Sequence, residues 1–168
     1  MTIGEAATAT IVTDERPDDD FYFTFKNFGE HFDLCMIPLN NVADFLPFPS
    51  ERNLVPMKFF ALSGKLIAIT VDKIVQIFEA DPKLRNERHV ICFGHAASER
   101  AIKMIGERLG LPLDMYVQTH SRFGNTVSAS VPLGISVALS GGRLRRGDKT
   151  LIIVGSAGIA VGIASFTY

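Results

Sequence analysis

From Leu151 to Phe166 the chain reads LIIVGSAGIAVGIASF, an apolar run broken by Gly155, Gly158 and Gly162. A membrane-crossing helix needs about 20 apolar residues, and this run falls short of that. Gly158 and Gly162 form a GxxxG pair of the kind that joins helices in lipid. The β-branched residues on either side of the glycines favour another outcome, two buried strands joined by a glycine turn. Strands apolar on both faces need a layer over each face, so the rest of the chain must supply helices for a sheet.

The upstream pattern meets that demand. IGEAATATIVT (3–13) reads as a small-residue turn running into a strand, and DERPDDD (14–20) as an acidic, solvated loop. FYFTFKNF (21–28) alternates, and with HFDLCMIPL (31–39) it suggests a pair of strands. Residues 40–57, with Pro47, Pro49 and Pro56, read as an irregular excursion. Leu66, Ile69, Lys73 and Ile77, with Ile67, Ile74 and Phe78, fall at three- and four-residue spacings, predicting a helix over 62–79 that is buried between layers. ADPKLRNER is expected as its exit turn, followed by a short buried strand, HVICFG (89–94). The spacing in SERAIKMIGERLG (98–110) predicts an amphipathic helix, with Ser98 as N-cap and Gly110 as C-cap. HSRFGNT (120–126) reads as a loop, and SASVPLGISVALSGG (128–142) as a helix that tolerates Pro132 only in its first turn. The order predicts an α/β fold in which helices cover a mixed sheet, with residues 1–168 as one domain and 14–56 as an irregular or insertion-like region.

Composition narrows the function. Of the 168 residues 47% are hydrophobic and 21% charged, which argues against a disordered chain. A net charge of −1 with no Lys/Arg stripe gives no footprint for nucleic acid. Cys35 and Cys92 form no CxxC pair and sit among apolar residues, so a reduced, cytoplasmic setting is expected, and no metal site. MTIGEAATAT has no basic region followed by an apolar run, so no secretion signal is expected.

Two polar residues stand out by position. His95 follows the strand HVICFG and Asn125 precedes a helix; carboxyl ends of strands are where sites form in α/β sheets. An imidazole and a carboxamide can each donate a hydrogen bond, and two converging donors make an oxyanion hole. Taken by themselves, the same residues suit a capping histidine and a turn asparagine.

GHAASERAIKMIGERLGLP (94–112), RFGNTVSASVPLGISVAL (122–139) and GRLRRGDKTLIIVGSAGIAVGIASF (142–166) together resemble the final third of the type III ketosynthases of the thiolase superfamily. IGEAATATIV (3–12) and MKFFALSGKLIAITVDKIVQIF (57–78) extend the resemblance toward the start. It implies a thiolase-like half-fold, the carboxy-terminal half, expected to pack against a second, similar half. It also implies that His95 and Asn125 are catalytic, stabilising the enolate formed when a malonyl-type thioester loses carbon dioxide. The nucleophilic Cys belongs to the other half, so a Cys-bearing partner half or subunit is implied, and a fragment that cannot condense alone. The thioesters would be carried on acyl carrier protein or coenzyme A in fatty acid or polyketide biosynthesis, with no other cofactor. Ser98, Gly124, Gly155, Ser156 and Ala157 are the implied substrate contacts, and Arg100 the implied carrier-protein contact.

The chain also departs from the family. Ser98 replaces a customary Asn, and GSAG (155–158) replaces a run of glycines, narrowing the pocket. Thiolases proper have a second Cys where Ser156 and Ala157 stand, which disfavours thiolase activity. Glu5 occupies the family's acidic position, with a hydrogen-bonding role expected. Arg143, Arg145 and Arg146 read as solvated charges, and Phe21, Tyr22, Phe23, Phe25 and Phe28 as core or interface. A half-fold should expose a large apolar face and self-associate. Two other readings remain open: a non-catalytic structural or gating subunit of a condensing complex, and a free-standing domain that binds acyl-pantetheine groups.

Overall fold

The computed structural model describes residues 3–11, 20–36, 60–95 and 97–168. The acidic loop before Asp20 and the proline-rich excursion lie outside the described residues. The first strand, β1 (Tyr22–Asn27), leads into a 3-10 segment and two short strands, β2 (Cys35–Met36) and β3 (Phe60–Ala61). Then follow helix α1 (Ser63–Ala80), the short α2 (Pro82–Asn86), strand β4 (Ile91–Gly94) and helix α3 (Glu99–Leu109). The chain closes with α4 (His120–Phe123), α5 (Ser130–Ser140) and the hairpin of β5 (Lys149–Ser156) and β6 (Ala160–Thr167).

The sheet order is β1-β6-β5-β4; β4 runs parallel to β5 and the other pairs are antiparallel. It is the mixed sheet expected, and the apolar run is its hairpin. Gly158 turns the chain at φ 99°, a conformation other residues rarely adopt, while Gly162 lies in β6 against Val154 and Phe25. The GxxxG pair is therefore one turn residue and one strand residue.

Each sheet face has its own core. Leu151, Ile153 and Ile163, each at most 2% exposed, pack toward α1 and α3. Burying a side chain of this size stabilises by about 1.5–3 kcal/mol. On the opposite face Phe93 and Ile91 pack with Ala138 of α5. Gly134 brings α5 close to the sheet, since a Cβ there would stand 3.1 Å from Phe93 Cδ1.

Several expectations change. The segment 3–11 forms no strand; only Ile3 bridges to Asn125, and Ile11 is exposed. FYFTFKNF does not pair with the segment after it but with β6, because β6 offers a full-length apolar partner. Residues 29–34 form the 3-10 segment instead, and among the described residues of that stretch Cys35–Met36 is strand, paired to Phe60–Ala61. The exit turn contains α2, started by Pro82 and capped by Asp81, whose side chain accepts from Lys83 N at 2.9 Å. The loop after Thr119 contains the helical turn α4. Only the second half of α1 is buried, at Val71, Ile74, Val75, Ile77 and Phe78. Both predicted caps of α3 are present: Ser98 Oγ accepts from Ala101 N at 3.3 Å, and Gly110 is left-handed at φ 66°.

The aromatic run divides by alternation. Tyr22 and Phe28 pack on the core, whereas Phe21, Phe23 and Phe25 are more than half exposed. Phe23 and Phe25 stack on each other, and Phe21 lies near Phe166, forming an exposed aromatic patch on the sheet face that carries α5.

At the end of the sheet remote from His95, His89 Nε2 lies 2.9 Å from Ser165 Oγ, which donates to Glu87 Oε2 at 2.5 Å. Lys149 Nζ pairs with Asp20 at 2.5 Å and Glu87 at 3.3 Å. Burial holds the His89 imidazole below its usual pKa, and the nearby Glu87 carboxylate opposes that only in part.

Two measurements test this packing. A Cβ on Gly155 would stand 2.3 Å from Thr70 Cγ2, so Gly155→Ala should cost about 1–3 kcal/mol in urea unfolding. Thr70→Ser removes that methyl and should recover much of the loss; additive effects of the two changes would refute the contact. The unfolded chain takes up a proton on His89 near pH 6.5 whereas the folded chain resists it, so stability present above that pH should fall below it. His89→Gln should lose less stability than the parent between pH 7 and 5.5, and equal losses would exclude His89 as the cause.

Candidate functional site

The parallel strands bring the site residues together. β4 ends at Gly94, and His95 follows it directly. On the side of β4 away from β5, Tyr116 bridges to Cys92 in parallel, and Val117 N donates to Cys92 O at 3.0 Å. The chain leaving that bridge passes through α4 to Gly124, whose φ of 68° suits glycine, and reaches Asn125. Three parallel stretches thus deliver the residues at their carboxyl ends to one edge.

There an open cavity of about 450 Å³ lies between the sheet, α1 and α3, within the range of small-molecule sites. His95 and Asn125 both line it, with Ser98, Gly155, Ser156 and Ala157. Gly124 is adjacent to the cavity without lining it, and Arg100 stands exposed on α3 outside it. The remaining walls are mostly apolar, including Ile74, Ile102 and Ile105. Ser98 Oγ is engaged in capping α3.

Asn125 is 6% exposed, and its Oδ1 accepts from Val127 N at 3.0 Å, which fixes how the carboxamide is turned. Gly4 N donates to Asn125 O at 3.0 Å, so the first residues brace the loop. His95 Nδ1 lies 3.3 Å from the hydroxyl of Ser130. Burial pushes the His95 pKa down, and the Val127 carbonyl partly offsets this, so the ring is held toward its neutral form.

Cys35 also lines the cavity, from β2, while Cys92 is fully buried in β4. Burial raises the pKa of both thiols, and neither stands at a helix start that would lower it. Among the arginines, Arg143 donates to Asp114 O at 2.6 Å and Arg146 lies over the Tyr168 ring, so these exposed charges hold local structure. Glu5 is exposed. Among the described residues no group of three or more His, Cys, Asp or Glu side chains is placed to hold a metal, and no helix is long and apolar enough to cross a membrane.

Sequence reasoning missed Thr70, Val127 and Ser130. Thr70 was hidden on a helix read as wholly buried. Val127 has φ 50°, which no pattern signals for a β-branched residue. Ser130 lay in the SAS stretch beside Asn125, and its position in the first turn of α5 was the available clue.

Comparison with known proteins shows which family the chain resembles. Residues 81–168 match the family model of the 3-oxoacyl-[acyl-carrier-protein (ACP)] synthase III C terminal. A beta-ketoacyl-[acyl-carrier-protein] synthase III of Clostridium perfringens is 26% identical over 98% of this chain and 51% of its own length. One of Xanthomonas oryzae pv. oryzae is 42% identical over 44% of this chain and 23% of its own. Among solved structures, the synthase III of Thermus thermophilus superposes with a TM-score of 0.70 at 26% identity, over 87% of this chain and 45% of that one. That of Pseudomonas aeruginosa PAO1 gives 0.72 at 22% identity, over 87% and 43%. The chain spans about half the length of the curated relative that it matches from end to end. With the thiolase-type α/β layers, the sheet order and the family match over its second half, the chain belongs to the type III 3-oxoacyl-[acyl-carrier-protein] synthases of the thiolase superfamily, corresponding to their carboxy-terminal part.

Proposed function

We propose that this chain supplies the His and Asn of a condensing enzyme that joins acyl thioesters by decarboxylative Claisen chemistry, together with a Cys-bearing half. The observation that carries the reading is the convergence of His95 and Asn125 on one mostly apolar cavity. Loss of carbon dioxide from a malonyl-type thioester leaves an enolate whose oxygen needs a polar cradle. Asn125 and His95 provide it in a site where apolar walls exclude water and strengthen each hydrogen bond. Removing one such donor costs on the order of 10²–10³ in rate.

The thioester would be that of an acyl carrier protein, as the relatives' names suggest, or of coenzyme A, with Gly155, Ser156 and Ala157 along its path and Gly124 setting the Asn125 loop. Arg100, exposed near the start of α3, would meet the carrier protein. The enolate would attack an acyl group on the partner's thiol, since burial raises the pKa of both thiols here. The partner half would cover the sheet face bearing Phe21, Phe23 and Phe25, and the assembly would work in a reduced, cytoplasmic setting.

A second reading, a structural or gating subunit without catalysis, is favoured by the capping role of Ser98 where the family usually has Asn. The two part on one assay: decarboxylation of a malonyl thioester by the chain co-expressed with its Cys-bearing half. His95→Ala and Asn125→Ala should each lower the rate at least about 10²-fold; unchanged rates would mean a structural subunit. The exposed face gives an independent check by light scattering. Purified alone, the chain should self-associate, and replacing Phe23 and Phe25 together by Ser should reduce this. A monodisperse monomer of the parent chain would remove the case for a covering half.

A further inference from the structure

Ser130 is 2% exposed, and its hydroxyl is surrounded by three oxygen or nitrogen partners. The Val127 carbonyl is nearest at 2.8 Å; His95 Nδ1 and Thr126 Oγ1 are each at 3.3 Å. A hydroxyl has one proton to give, and the shortest contact, to a carbonyl that can only accept, takes it. The Ser130 oxygen therefore faces Nδ1 as an acceptor. The Val127 carbonyl also acts on the imidazole as an acceptor, favouring a proton there.

We propose that Ser130 is a positioning residue for His95: its buried hydroxyl keeps the proton of the neutral imidazole on Nδ1 and leaves Nε2 as a proton acceptor. The backbone around it is built to the same end. Val127 is held at φ 50°, a left-handed conformation costly for a β-branched residue. In that conformation its N–H reaches Asn125 Oδ1 while its carbonyl takes the Ser130 proton. One strained residue thus orients both members of the pair.

The inference rests on the reading of His95 and Asn125 as reactive groups, and it adds an order of events. A neutral ring with its proton on Nδ1 cannot donate from Nε2. A thiol of the partner half reaching Nε2 gives up its proton there: the S–H bond breaks, an N–H bond forms, and a thiolate faces an imidazolium. The imidazolium then donates at both nitrogens, and Nε2–H becomes available to a carbonyl oxygen beside Asn125.

The test is nitrogen NMR of the chain labelled with ¹⁵N at histidine, by magic-angle spinning on hydrated sediment so that self-association is no obstacle. The four histidines are separated by a His95→Gln control. Above the ring's titration, Nδ1 of His95 should give a pyrrole-type signal and Nε2 a pyridine-type one. Ser130→Ala should shift the ring toward the Nε2–H form that free histidine prefers, and Ser130→Thr should restore the original pattern. A parent spectrum with the proton on Nε2 overturns the proposal whether or not the variants fold, and so does a Ser130→Ala spectrum identical to the parent. The measurement needs neither thioester nor partner half. Its failure leaves the condensing role standing, and inactive condensation assays leave the tautomer result standing.

Discussion

Parallel pairing on both sides of β4 is the constraint from which the site follows. Gly94 sits opposite Ile153 on one side, and Cys92 bridges Tyr116 on the other, all three stretches running the same way. Strands that run together end together, so His95, the turn after β5 and the loop to Asn125 emerge at one edge of the sheet. Antiparallel placement of β4 would send His95 to the opposite end, beside Lys149 and Ser165. The hairpin of β5 and β6 anchors this arrangement, since its apolar residues bind a helical layer to each face.

The two ends of the sheet serve different physical purposes. Around His89 the polar groups answer one another, with Ser165, Glu87, Lys149 and Asp20 linked through hydrogen bonds and ion pairs. There the polar chemistry secures the strands that meet. Around His95 the polar groups are few and lie beside a hollow with mostly apolar walls. Such an asymmetry suits a molecule that holds itself together at one pole and leaves room at the other.

Much of the fold was legible because its strongest elements carry their own signals. The hairpin, α1, α3 with both caps, and the start of α5 follow from apolar spacing, a capping serine and well-placed glycines. The partner of β1 was not legible, because alternation in FYFTFKNF says that a strand forms but not which neighbour takes it. Segment 3–11 illustrates a different limit: its small and β-branched residues suit a strand, yet among the described residues only Ile3 finds a bridge partner. His95 and Asn125 were singled out by their place after a strand and before a helix, and a chemical role for them came only from the family resemblance. The hydrogen bonds that orient them were not legible, since they depend on Val127 adopting a backbone conformation foreign to its side chain.

The hollow between α1 and α3 has a thermodynamic side. Close-packed interiors gain from every contact, and walls such as Ile74 and Ile105 facing open space forgo part of that gain. The stability withheld is recoverable: a guest that enters only the folded chain returns it in proportion to the logarithm of its concentration over its dissociation constant.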